Sequence, residues 1–195
     1  MKKSDVKKDT QKEWIIPCNV NYYDISSALS ALKIIDWKQP VQMNNANVGD
    51  LVYIYCKSKG TGSVAYKGAI LEVNKTEDII DDSAYSGEKP QEGRYFELAV
   101  FREYSIEGLE YSKLKENGLK SRLQGPTIVK DTVAEYLHKC DDIQRNMDRA
   151  DGTIPNTCLP DFPIKIYEIL SHESLKNKKE YERKRNELLK KKDKL

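Results

Sequence analysis

WIIPCN (residues 14–19), DWKQ (residues 36–39) and VGDLVYIY (residues 48–55) are the stretches on which the fold of this chain turns. The first is apolar and β-branched with little alternation, the pattern of a buried strand. It runs into a turn carrying Asn19 and Asn21, after which Asp24 is placed to cap a helix with Ile25, Leu29 and Leu32 on one face. A polar loop from Lys38 to Asn47 leads to a second strand, Leu51 to Tyr55, on which Tyr53 and Tyr55 share a face. Lys57 to Gly62 reads as a turn, and Lys67 to Val73 as the antiparallel partner.

Further along, Asn74 to Gly93 is acidic and turn-rich and reads as a long loop. Phe96, Leu98 and Val100 have the period of a half-buried strand. Leu114 to Asn117 predicts a helical turn stopped by Gly118, and GLKSRLQGP (residues 118–126) crosses to an amphipathic helix. Val133, Tyr136, Leu137, Cys140, Ile143 and Met147 stand on that helix at helical spacing, up to Asp151 and Gly152. Ile164 to Leu170, after Pro155, Pro160 and Pro163, fits either a last strand or the start of a helix. The order β-α-β-β-β-α predicts an α+β fold, a small mixed barrel rather than a doubly wound sheet. Four segments follow: a mobile polar tail over 1–13, a core domain over 14–150, a connection packing on it over 151–174, and a basic helical tail over 175–195.

Composition narrows the function. No window approaches the roughly 18 consecutive apolar residues of a membrane span, and the basic start MKKSDVKKDTQK leads into no apolar signal segment. Cys18, Cys56, Cys140 and Cys158 match neither zinc spacing nor a compact disulfide framework, so a reducing cytoplasm is the expected location. With His138 and His172 the only histidines, a histidine relay or His-rich metal site has little to draw on. Asp78, Asp81 and Asp82 lack EF-hand spacing, and G-x-G-x-x-G, Walker and G-x-S-x-G motifs are missing. The expectation is therefore a protein that is not an enzyme and uses no cofactor or metal.

The formal charge of +2 hides an asymmetry. Residues 1–13 hold five Lys against three acids, and residues 175–195 hold ten Lys or Arg against four acids, which leaves 14–174 at −6. A globally basic footprint for nucleic acid is absent from the core, so any such contact falls to a local patch or to the tails.

In order and spacing, WIIPCN, DWKQ, VGDLVYIY, the strand YKGAILEV and NGLKSRLQGP together resemble the EVE domain of the PUA-like superfamily, related to YTH, ASCH and SRA domains. The resemblance spans about Trp14 to Tyr136. It implies a PUA-like mixed pseudobarrel with flanking helices that binds a modified base, flipped out of DNA or presented by RNA, in an aromatic cage. On that pattern Asn19 matches the polar position after the first strand and Trp37 the cage tryptophan. The later cage tryptophan of YTH relatives has no counterpart, and Tyr85 is the nearest aromatic in the corresponding loop.

The base pocket expected from residues and resemblance together comprises Asn19, Asn21, Tyr22, Trp37, Gln39, Tyr55 and Tyr85. An indole supplies a stacking surface, and amides read a base edge because they donate and accept. Trp14, at the head of the buried strand, is expected to anchor the core. Phosphate contacts are expected from Lys38, Lys57, Lys59, Lys120, Arg122 and Gln124, with Gly118 and Gly125 admitting the backbone. The bland alternatives are Trp37 as a plug under its loop, Asn19 as a turn former and the cations as ordinary surface. The function expected is a methylated-DNA reader in a restriction or phage-defence system, its nuclease on a separate chain. An RNA reader of methylated adenine, or a protein-interaction or small-molecule module, stands as the alternative.

Overall fold

A computed structural model of the chain describes residues 11–31, 34–58, 61–76, 84–87 and 93–150. The expected connection over 151–174 and basic tail over 175–195 lie outside the described residues, as do 1–10. The chain divides into two units at Gln144/Arg145. All that follows concerns the first, since only residues 145–150 of the second are described.

Among the described residues six strands form one sheet. In chain order the elements are β1 (Glu13–Asn19), α1 (Ile25–Ala31), β2 (Ile34–Lys38), a 3-10 turn (Val41–Met43), β3 (Leu51–Ser58), β4 (Thr61–Lys75), β5 (Tyr95–Glu103), α2 (Tyr111–Glu116), β6 (Thr127–Ile128) and α3 (Asp131–Ala150). The strand order is β2-β5-β4-β3-β1-β6. Only β1 and β3 run parallel, in register from Glu13 opposite Leu51 to Asn19 opposite Lys57.

The expected pseudobarrel is not formed. The sheet is open, with β2 and the two-residue β6 as edges that do not pair with each other. β6, two residues long, offers no ladder on which β2 could close the sheet. Trp14, Ile16, Cys18, Val52 and Ile54 belong to one core cluster, while Ile15, Tyr53 and Tyr55 belong to another. Because side chains alternate along a strand, these clusters lie on opposite faces. β1 and β3 have cover on both sides, and a strand buried on both faces reads as a continuous apolar run.

Each face has its own cover. Tyr23, Ile25 and Ala28 from α1 and the turn before it join the first cluster, with Ile35, Ile70, Phe96 and Leu98. Leu109, Leu114, Leu119, Leu123, Val133 and Leu137 join the second, so α2, the 118–126 crossing and α3 cover that side. Truncating a fully buried side chain such as Ile16 or Leu98 to Ala costs about 2–5 kcal/mol. Ile143, expected on the buried stripe of α3, is exposed.

Buried polar groups fix the packing. Asp50 accepts the Trp14 indole N–H at 3.0 Å and the backbone N–H groups of Lys12 and Asn47 at 2.9 and 3.0 Å. With 1% exposure, Trp14 is the core anchor its position predicts. On the opposite face Asp141 of α3 meets Lys67 Nζ and Arg102 Nε, each at 2.9 Å, and accepts the Tyr104 hydroxyl at 3.0 Å. Burial alone raises the Asp141 carboxyl, but Lys67 and then Arg102 and Tyr104 outweigh it and hold it below its ordinary value.

Candidate functional site

Asn19 ends β1, and its side-chain Oδ1 accepts the Asn21 N–H at 3.1 Å while its carbonyl accepts the N–H groups of Tyr22 and Tyr23, both at 3.0 Å. This is an Asx turn, the local competition with regular structure at which asparagine excels. Asp24 then caps α1 by accepting the Ser27 N–H at 3.1 Å. The turn divides two groups of candidate residues.

The first group is aromatic. Tyr23 stands edge-on to Trp37 at 5.9 Å between ring centroids and is tilted against Tyr85 at 4.7 Å. Tyr85 is also edge-on to Tyr22 at 5.5 Å. Backbone bonds from Ser86 N–H to the Tyr22 carbonyl and from Asp24 N–H to the Ala84 carbonyl, both 2.9 Å, pin the pieces together. Tyr22 is 41% exposed, Trp37 is half-buried against the first core, and Tyr23 is buried.

The second group lines an open cleft of about 1020 Å³. Tyr55, Lys57 and Ser58 come from β3, Gly62 and Ser63 from β4, Glu110, Tyr111 and Ser112 from the start of α2, and Arg122 and Gln124 from the 118–126 crossing. Val20, next to the Asx turn, completes the wall. Local sequence explains the crossing: Leu119 and Leu123 are buried in the second core while Lys120, Arg122 and Gln124 between and beyond them are exposed. The Tyr111 hydroxyl donates to the Ser121 carbonyl at 3.2 Å and ties the crossing to α2. Burial, and secondarily the neighbouring Tyr111, raises the Tyr55 phenol.

The cleft therefore gathers Tyr55, Lys57, Arg122 and Gln124, and the aromatic group gathers Tyr22, Trp37 and Tyr85, with Asn19 and Asn21 in the turn between. Gln39 is buried elsewhere, its amide donating to the Met43 carbonyl at 3.2 Å and accepting the Asn74 N–H at 2.8 Å. Both halves of that amide are engaged in holding the loop after β2. Lys38 is exposed at the end of β2 beside Gly93, and Lys120 is exposed without lining the cleft. Lys59 lies outside the described residues. The sequence reading missed Glu110, Tyr111, Ser63 and Ser112, because sequence spacing carries no sign that α2 starts against the β3–β4 hairpin. Among the described residues no three His, Cys, Asp or Glu side chains gather as a metal site, and no helix is long and apolar enough to cross a membrane.

No protein-family model and no curated protein sequence matches the chain. Solved structures do. A hypothetical protein from Leishmania major is 14% identical over 70% of this chain and 98% of its own, with a TM-score of 0.50. Human THYN1, solved in complex with 5-methylcytosine-containing DNA, is 10% identical over 66% of this chain and 96% of its own, at 0.47. A ZmASCH mutant protein from Zymomonas mobilis is 10% identical over 66% and 98%, at 0.41. The likeness to the Leishmania protein is one of fold: this chain shares the arrangement of sheet and helices that makes up nearly all of that protein.

Proposed function

We propose that the chain is a non-catalytic reader of a modified nucleobase, taken out of DNA and held in the cleft between the β3–β4 hairpin, the start of α2 and the 118–126 crossing. The observation that carries this reading is that one open cavity combines two tyrosines, Tyr55 and Tyr111, with two cations, Lys57 and Arg122. Extruding a base costs a few kcal/mol, and one stacking contact of about 1–3 kcal/mol plus hydrogen bonds to the base edge offsets it. Tyr111, the more exposed of the two tyrosines, supplies the stack; Ser58, Ser63 and Ser112 supply hydroxyls that both donate and accept. Lys57 and Arg122 neutralise the flanking phosphates. The resemblance of WIIPCN, DWKQ and the later motifs to EVE domains supports the same reading, since the first of those motifs ends at the Asx turn beside the cleft. A restriction or phage-defence setting, with the nuclease on another chain, is the context this function fits.

The test is binding of short duplexes bearing methylated or hydroxymethylated cytosine, or methylated adenine, against unmodified duplexes and methylated single-stranded RNA. Tyr111→Ala is expected to erase the preference for the modified base. Lys57→Glu and Arg122→Glu are each expected to weaken binding to all sequences and to lower the salt slope by about 1. Equal affinity for every probe, indifferent to the three substitutions, overturns the proposal. A preference for the RNA probe instead assigns the cleft to RNA.

Glu110 on the cleft wall and the −6 charge of residues 14–174 favour a second reading, a small-molecule or protein-interaction module. Failure to bind any nucleic acid at low salt, where phosphate attraction is strongest, decides for that reading.

A further inference from the structure

Tyr22 and Asn21 are exposed and do not line the cleft, yet the turn that carries them is fastened to its rim. Asn19, where the turn begins, stands opposite the cleft-lining Lys57 in the β1–β3 register, and the Val20 N–H donates to the Lys57 carbonyl at 3.2 Å. Val20 itself lines the cleft. From there to Tyr22 the backbone can span no more than about 7 Å.

We infer, on the reading of the cleft as the pocket for the modified base, that Tyr22 is a second stacking position, for the base next to the flipped one. The protein then takes hold of a strand of at least two nucleotides and not of a lone modified base. Two adjacent rings divide the work. Tyr23 is buried in the first core, whereas Tyr22 is 41% exposed. Burial is what makes a ring favour folding, so the fold gains more from Tyr23 than from Tyr22. The place of Tyr22 is nonetheless fixed: its N–H donates to the Asn19 carbonyl at 3.0 Å, its carbonyl accepts the Ser86 N–H at 2.9 Å, and its ring stands edge-on to Tyr85. A residue held in place before the ligand arrives loses little freedom on binding. Stacking on it tolerates any sequence, because every base has a π-face.

Charge along this path suits a strand. Lys57, which lines the cleft and stands opposite Asn19, is placed to neutralise the phosphate that joins the two bases. The carboxylate nearest to Tyr22 in sequence, Asp24, is turned onto Ser27, accepting its N–H at 3.1 Å and its hydroxyl at 2.7 Å. The exposed amide of Asn21 can donate and accept at the edge of the stacked base.

The experiment measures binding of the full chain to single-stranded trinucleotides with methylated or hydroxymethylated cytosine, or methylated adenine, at the centre and with flanking nucleotides either intact or abasic. Single strands remove the cost of extrusion, and abasic flanks keep the phosphates while removing the bases. For the modification that binds, intact flanks are expected to improve affinity about tenfold over abasic ones, within the worth of one stack. Tyr22→Ala should bind both trinucleotides as the wild type binds the abasic one, and Tyr22→Phe should restore the difference. Equal binding of the two trinucleotides by the wild-type chain overturns the inference, as does a difference that survives Tyr22→Ala. Tyr111→Ala tells this failure from that of the cleft: it is expected to weaken both trinucleotides alike. If it weakens neither, the cleft is not the base pocket and the second position falls with it; if it weakens both while Tyr22→Ala changes nothing, the second position alone is overturned.

Discussion

Tyr23 packs against both Trp37 and Tyr85, its ring centroid 5.9 Å from one and 4.7 Å from the other. A buried tyrosine is already the aromatic neighbour of both rings that the expected cage would use. Trp37 is thus expected to act mainly through packing. Trp37→Ala should destabilise the fold by about 3 kcal/mol in urea unfolding, while the folded variant keeps its preference for a modified duplex. Loss of that preference at an unchanged unfolding midpoint would move the pocket from the cleft to the aromatic group.

Much of this fold was legible in the sequence. WIIPC and LVYIY form the strands that uninterrupted apolar runs predict, and the Asp24 cap and the Gly118 stop are local signals. Gly118 has φ of +102°, the conformation that favours glycine at a helix end. The same runs carried the information that both faces of β1 and β3 are buried, but the barrel expected from the element order and from the resemblance is overturned by an open sheet whose edge strands β2 and β6 do not pair. β2 was harder to see: Ile34 to Lys38 is short, and its partner β5 is 57 residues or more away in the register of Lys38 opposite Tyr95. The cleft was the least legible part. Lys57 and Arg122 stand out as charges in any reading, but that they share a cavity with Tyr55 depends on Leu119 and Leu123 pulling the crossing onto the second core.

Among the described residues Glu110 is the one carboxylate on the cleft wall. A negative charge there opposes phosphate binding, so its removal separates backbone attraction from base reading. Glu110→Gln is expected to strengthen binding to unmodified duplexes by a few-fold at low salt, an advantage that fades as salt screens it. The discrimination between modified and unmodified probes should fall if Glu110 accepts from the base edge and stay constant if it does not. Unchanged binding at every salt concentration would place the phosphates away from this wall.

Gly62 permits the close approach that shapes the cleft. A Cβ there would stand 2.7 Å from both the Cys56 carbonyl oxygen and the Tyr55 hydroxyl, and 2.8 Å from the ring carbon that bears it. The carbonyl is part of the β3–β4 ladder and cannot swing aside as a flexible side chain would. Gly62→Ala should cost about 1–3 kcal/mol and weaken nucleic-acid binding by displacing Tyr55. Unaltered stability and binding would show that the hairpin yields at this point.

The buried carboxylate of Asp141 gives the clearest dependence on pH. Its folded value lies below the ordinary 3.8, the result of Lys67, Arg102 and Tyr104 outweighing burial. A depressed acid stabilises the fold above its unfolded value and loses that contribution as pH falls through its folded value. Asp141→Asn leaves Lys67 and Arg102 buried without their shared counter-charge, and removal of one partner from such a group costs about 3–5 kcal/mol. Urea unfolding near neutral pH should show that deficit in full. As pH falls below the ordinary carboxylate range, the wild-type carboxyl takes up its proton and the gap between the two proteins should narrow. A gap that stays constant across that range would mean that Asp141 supports α3 by shape and hydrogen bonding to Tyr104 rather than by its charge.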